Sequence, residues 1–266
     1  MTEQRRGYLR GELPWIYALA IAAILTVPSN FPALVTLMGQ VLFNQGLMLL
    51  VPIALLLRHK IPLKEGLRIR PIGGKTVLAC VFLAPLLQLV AQSTVWATGE
   101  FFPMPEEMLK QMSRIILPDD APTWKLILLI ALSPALCEEI AFRGALLYSL
   151  CSGGEQTLSW RRKLTISAVV GLAFGASHLM LAKLLSTAVI GFFLTLLALE
   201  TGSILLGMIV HFGNNAIAVL AERNRLELGD LPVWVWAASW LGTFLIFMWL
   251  RQGAAKGIRA CVAKFN

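Results

Sequence analysis

WKLILLIALSPALCEEIAFRGALLYSL, residues 124–150, is an apolar run with two adjacent glutamates, Glu138 and Glu139, in its middle and Arg143 about one helical turn further on. About 20 apolar residues suffice to cross a bilayer as a helix. Each ionisable group inside such a segment costs about 2.5–3.5 kcal/mol on insertion scales. Charges kept at that cost face a bundle interior and serve chemistry or transport.

The whole 266-residue chain has the same character: 57% hydrophobic, 14% charged, mean hydropathy +0.72. A soluble domain carries about 25% charged residues. The expected fold class is all-α, a polytopic transmembrane helical bundle of about eight helices around an intramembrane polar cavity. Apolar spans are read at 14–30, 31–57, 75–98, 124–150, 164–181, 184–199, 203–221 and 231–250. The first follows Arg5, Arg6 and Arg10 as a signal sequence would, but no small-residue cleavage site follows it, so it is read as a helix. Three blocks result: N-terminal membrane helices with an interfacial loop (1–123), a core (124–222), and a last helix with a basic tail (223–266). Within the loop, residues 99–122 have partial amphipathic character and are expected to form a short helix on the outer surface.

The net charge of +8 is no nucleic-acid signature, because its distribution follows topology. Most cations fall in alternate segments: Arg5 to Arg10, the loop from Arg58 to Lys75, Arg161 to Lys163, and the tail from Arg251 to Lys264. The positive-inside rule then puts both termini in the cytoplasm, with the basic loop and tail against anionic lipid. Short termini without an organelle-targeting signal point to a prokaryotic plasma membrane. The four cysteines, Cys80, Cys137, Cys151 and Cys261, are scattered without CxxC spacing, which argues against a disulfide framework or zinc knuckle.

Of three histidines, His59 lies in a basic loop and is expected to be solvated, whereas His178 and His211 fall inside spans. Asn215 follows His211 by four residues, and Phe174 precedes His178 by four, so each pair shares a helix face. Polar groups on three separate spans suggest one shared cavity rather than isolated hydrogen bonds between helices. Neighbours on a helix point about 100° apart, so the two glutamates are expected to divide their labour. Glu139 is i, i+4 from Arg143 with the acid N-terminal, the favourable pairing order, which leaves Glu138 to face the cavity. Pro134, four residues before Glu138, should free a carbonyl that something else must satisfy. Gly144, Gly171, Gly175, Gly207 and Gly213 suit close helix packing; Gly175 and Gly213 are also candidates for making room for a substrate backbone.

Glu138-Glu139-x-x-x-Arg143, Phe174-x-x-x-His178 and His211-x-x-x-Asn215, in that order on successive spans, resemble the three motifs of the CAAX prenyl protease and bacteriocin-processing family of intramembrane endopeptidases. The resemblance covers about residues 125–221. It implies a conical helical bundle that cuts a peptide bond of a membrane-anchored or lipidated protein or peptide. It further implies that Glu138 and His178 activate water, that His211 and Asn215 stabilise the oxyanion, and that Glu139 and Arg143 hold the site in shape. The chemistry suits those residue types: a carboxylate can take and return a proton, and Asn and His can donate to an oxyanion.

The family has been described both as metalloproteases and as glutamate-type proteases. A metal-free mechanism is favoured here, because HExxH is missing from the chain. The alternative is zinc on Glu138, His178 and His211, a two-His, one-carboxylate set with an open position. A reading from another class is a proton-coupled transporter using the buried Glu and His groups as a relay; the absence of a repeat between the halves of the chain argues against it. The expected partners are the substrate and the lipid bilayer, with no nucleic acid.

Overall fold

In the computed structural model the described residues are 11–12, 37–99, 101–103, 105–151, 158–178, 180–226 and 228–262. Among them the chain is helical throughout: α1 (Leu37–Arg58), α2 (Leu63–Gly66), α3 (Gly74–Gly99), α4 (Glu106–Ile116), α5 (123–150), α6 (Trp160–Ser177), α7 (Leu181–Thr201), α8 (Ile204–Arg223) and α9 (Val233–Val262), with a 3₁₀ turn at Leu228–Asp230. The expected second to eighth spans correspond to α1, α3, α5, α6, α7, α8 and α9; the first lies outside the described residues, as do Arg5, Arg6, Arg10 and Lys264. Five of these helices are long and apolar enough to cross a membrane, in whole or for most of their length: α1, α3, α7, α8 and α9. The protein is a helical membrane bundle.

Large apolar side chains point outward as well as inward. Phe82 on α3 and Leu241, Phe244 and Leu245 on α9 are more than half exposed, as side chains facing lipid would be. The inward faces form a continuous core. Leu83 and Leu87 of α3 meet Leu194 and Leu197 of α7, Leu206 and Val210 of α8, and Phe247 of α9. A second cluster joins Phe142 and Leu147 of α5 to Val170 and Phe174 of α6 and to Leu199 of α7.

The tightest seam is between α6 and α7, and glycine makes it possible. A Cβ on Gly171 would lie 2.7 Å from both the Ala188 carbonyl oxygen and the Phe192 nitrogen; one on Gly175 would lie 2.5 Å from the Leu184 carbonyl oxygen. Gly213 likewise packs against Ala84. The small-residue packing expected for these positions is therefore what the fold uses, and Gly175 and Gly213 face neighbouring helices rather than a substrate channel.

Two expectations for the basic loop are corrected. Arg68 does not face lipid: it is 2% exposed and its Nη2 donates to the Ala198 carbonyl at 2.7 Å, near the C-terminal end of α7, where helix carbonyls lack intrahelical donors. Gly202 then ends α7 in a left-handed cap (φ +72°), and the Arg68 carbonyl accepts from the Ile204 nitrogen at the start of α8. His59 is not solvated: its ring nitrogen Nε2 lies 3.0 Å from Glu12 Oε2, with the imidazole 13% exposed. The partner of each is distant in sequence, which is why neither contact could be read from the loop itself.

Gly171→Ala and Gly175→Ala should each destabilise the bundle by about 1–3 kcal/mol, the usual cost of overpacking. Gly46→Ala, which meets nothing within 4 Å, should be neutral or slightly stabilising; thermal unfolding of the purified protein in detergent compares the three.

Candidate active site

The helix carrying the glutamates changes pitch twice. Residues 127–132 and 140–146 of α5 take π-helical turns, and Ser133–Glu139 between them is α-helical. π turns are rare and cluster at functional sites. Pro134 sits just after the first and cannot donate to the carbonyl four residues earlier, that of Ile130. Asn215 Nδ2 donates to that carbonyl at 3.3 Å. The freed acceptor expected from the proline thus finds its donor on α8.

The second π turn surrounds Arg143. This guanidinium and the Glu139 carboxylate are both fully buried and lie 2.9 Å apart. Arg143 also donates from Nε to Thr195 Oγ1 at 3.3 Å and from Nη2 to the Gly191 carbonyl at 3.0 Å, and its charge lies 4.5 Å from the centre of the Phe174 ring. The remaining Glu139 oxygen, Oε2, faces α8, where a Cβ on Gly207 would come within 2.6 Å of it.

His211 lies between the two glutamates. Its Nδ1 is 3.1 Å from Glu139 Oε1 and its Nε2 is 3.8 Å from Glu138 Oε2. A carboxylate only accepts, so Nδ1 carries the proton shared with Glu139, and Nε2 is the nitrogen turned to Glu138. The glutamates do diverge as the helical step requires, Glu139 to its arginine and Glu138 to the cavity; they meet again at opposite ends of one imidazole. The other oxygen of Glu138, Oε1, accepts from Gln45 Nε2 of α1 at 3.2 Å.

His178 lies near the end of its expected span, 164–181, and at the end of the observed helix. It caps α6, which ends at Ser177, because the chain turns there toward α7. Its Nδ1 lies 2.9 Å from the Phe174 carbonyl oxygen; a carbonyl can only accept, so Nδ1 bears the hydrogen of that bond and Nε2 is the ring's other nitrogen. The Phe174 ring meets both His178 and His211 edge-on, with centroids 4.9 and 5.8 Å away.

Glu138, His178, His211 and Asn215 line one cavity of about 840 Å³, together with Gln88 and Gln92 of α3 and Lys183 of α7. The amphipathic helix α4 forms within the expected stretch 99–122, and its Ser113 and Ile116, with Leu117 just after it, wall this cavity. It is held by the end of α8, where Glu222 meets the Ser113 hydroxyl and Arg223 donates to the Pro118 and Asp119 carbonyls at 3.1 and 3.3 Å.

The structure thus gathers all six residues singled out in the sequence: Glu138, His178, His211 and Asn215 at the cavity, and Glu139 and Arg143 behind it. Sequence reasoning missed Gln45, Thr195 and Asn214, the last donating to Asn215 Oδ1 at 3.1 Å. Asn44-Gln45 in the second span was a visible signal, an amide pair in an apolar run. A zinc ion on Glu138, His178 and His211 would need the three to gather as ligands, and among the described residues no group of three His, Cys, Asp or Glu does so.

Residues 120–217 match the family of Rce1-like proteins, described as "Type II CAAX prenyl endopeptidase Rce1-like". The match takes in every motif residue named above and supports the resemblance of those motifs to the CAAX prenyl protease and bacteriocin-processing family. No curated protein and no solved structure matches the chain.

Arg143→Ala should cost about 3–5 kcal/mol of stability, because it leaves a buried carboxylate without its cation. The double variant Glu139→Gln with Arg143→Met should cost less than that single one. Unfolding midpoints of the three proteins in one detergent test this.

Proposed function

We propose that the chain is an intramembrane endopeptidase that hydrolyses a peptide bond of a membrane-anchored or lipid-modified protein or peptide. The observation that carries this reading is the lining of one cavity by Glu138, His178, His211 and Asn215, with Glu138 Oε1 held by the Gln45 amide and Oε2 turned to His211. The family match supports a protease of the CAAX type and weighs for hydrolysis over proton transport.

The proposed reaction begins with a water between Glu138 and His178. Glu138 accepts one of its protons, and the unprotonated Nε2 of His178 accepts a hydrogen bond from the other. The water oxygen adds to the scissile carbonyl carbon, and the carbonyl becomes a tetrahedral oxyanion. An Asn amide has two N–H groups; Ile130 takes one of those on Asn215, and the other serves the oxyanion. His211 in its doubly protonated form adds a second donor from Nε2, its Nδ1 being occupied by Glu139. Donors fixed in a dry cavity act more strongly than they would in water. Glu138 then returns its proton to the departing amine, the C–N bond breaks, the new carboxylic acid gives its proton to that amine, and carboxylate and ammonium products leave.

The cavity volume lies within the range of about 300–1,000 Å³ typical of ligand pockets, enough for a few residues of extended chain and not for a folded domain. Its walls mix Val95, Ile116 and Ile190 with Gln88, Gln92 and Lys183, which suits a peptide that enters from the bilayer with its backbone still polar.

Reconstituted in liposomes with a membrane-anchored peptide, in lipidated and unlipidated forms, the unaltered chain should cleave. Glu138→Gln or His178→Ala should reduce the rate by about 10²–10⁴-fold, and Asn215→Ala by about 10²–10³-fold, with unchanged elution from a sizing column. Cleavage that survives Glu138→Gln would sink the proposal. Chelation should leave the rate unchanged; a rate that falls on chelation and returns with zinc would replace this mechanism with the metal-dependent one.

A further inference from the structure

Glu138 is gripped from two sides by groups of different origin. His211 belongs to the region that matches the family; Gln45 does not, lying 93 positions earlier on α1. The two Glu138 oxygens are thereby made unequal. Oε1 is taken by the Gln45 amide at 3.2 Å, and Oε2 faces His211 Nε2 at 3.8 Å, beyond a direct hydrogen bond; Glu138 and His211 both line the cavity, whereas Gln45 is not among its lining residues.

Gln45 is an expensive residue where it stands. It lies in an apolar, membrane-long stretch of α1, Gly39–Arg58, and its own Oε1 is buried without a hydrogen-bond partner among the described residues. An amide is tolerated in such a place when its donor has a strong acceptor, and the carboxylate supplies one. The chemical type matters as much as the reach. Glu139 is held by a full guanidinium charge 2.9 Å away. A neutral amide fixes Glu138 in orientation and leaves it the capacity to take a proton.

Resting on the protease reading above, we infer that Gln45 is a positioning residue for the reaction: it holds Glu138 by Oε1 so that Oε2 is the oxygen presented to water. The groups against Glu138 are Gln45 from α1 and His211 from α8, and His178 from the end of α6 lines the same cavity.

Two measurements on the full chain test this. In Gln45→Met, a side chain of similar length without the donor, kcat should fall about ten-fold or more with KM within about two-fold, and no further loss should appear in a Glu138→Gln background. Gln45→Leu replaces it should Gln45→Met fail to fold. Infrared difference spectra against Glu138→Gln isolate the Glu138 carboxylate band, and that band should shift when Gln45 is replaced. An unshifted band overturns the contact whatever the activity. A shifted band with unchanged kcat, or a change in KM alone, overturns the positioning role. Failure of the unaltered chain to cleave any anchored peptide overturns the protease reading and with it the catalytic half of this inference, while the band still decides the contact.

Discussion

A carboxylate and a guanidinium shut away from all solvent, Glu139 and Arg143, set the terms for the rest of the bundle. Removing each ion from water costs several kcal/mol, which their mutual attraction offsets only with excellent geometry and further hydrogen bonds. Those bonds come from every side. Thr195 and Gly191 of α7 accept from the guanidinium, Phe174 of α6 lies against its face, and His211 of α8 shares the carboxylate. A displacement of α6, α7 or α8 relative to α5 leaves at least one of these groups buried and unpaired. The pair therefore selects one arrangement of four helices, whatever its net contribution to stability.

That selection needs backbones close enough to serve as ligands. The Gly191 carbonyl both receives Arg143 and accepts from the Thr195 hydroxyl at 2.8 Å, and the same glycine lets the Phe174 ring settle against α7, where a Cβ would meet it at 2.9 Å. Gly207 lets the Glu139 carboxylate lie flush on α8. The glycine seam between α6 and α7 is thus the condition under which Phe174 reaches Arg143 with its ring and His178 with its carbonyl. Packing and electrostatics here are one constraint described twice.

The parts of this site legible in the sequence are those whose physical cost shows in a single segment. Glu138, Glu139, Arg143, His178 and His211 stood out because charge and imidazole are rare at membrane depth, and their spacing reported shared faces. Pro134 announced an orphan carbonyl because a missing N–H is a local fact. The answers to those costs were not local. That Asn215 serves Ile130, that Gln45 serves Glu138 and that Arg68 serves the end of α7 are pairings across 85, 93 and 130 positions. Periodicity carries no information about such pairs. His178 fell inside the expected span 164–181, and the fold places it as the cap just past Ser177, a helix end that hydropathy alone does not mark.

The adjacency of the two glutamates follows from the same geometry. Side chains one residue apart diverge by about 100°, so a doublet cannot close on a single atom, but it can bracket an object about as wide as an imidazole. His211 is that object, with Nδ1 toward Glu139 and Nε2 toward Glu138. One member of the doublet is committed to a cation and so anchors the ring; the other is held by an amide and so remains free to exchange protons under the proposed mechanism. Separating them by three or four residues would place both on one face and give both the same environment. Neighbouring positions are what allow one buried helix to offer a cation-paired carboxylate and a cavity-lining one to opposite ends of the same ring. The amide that holds the second of them comes from α1, and Gln88 and Gln92 of the cavity wall come from α3. The motif-bearing helices alone therefore do not complete the site.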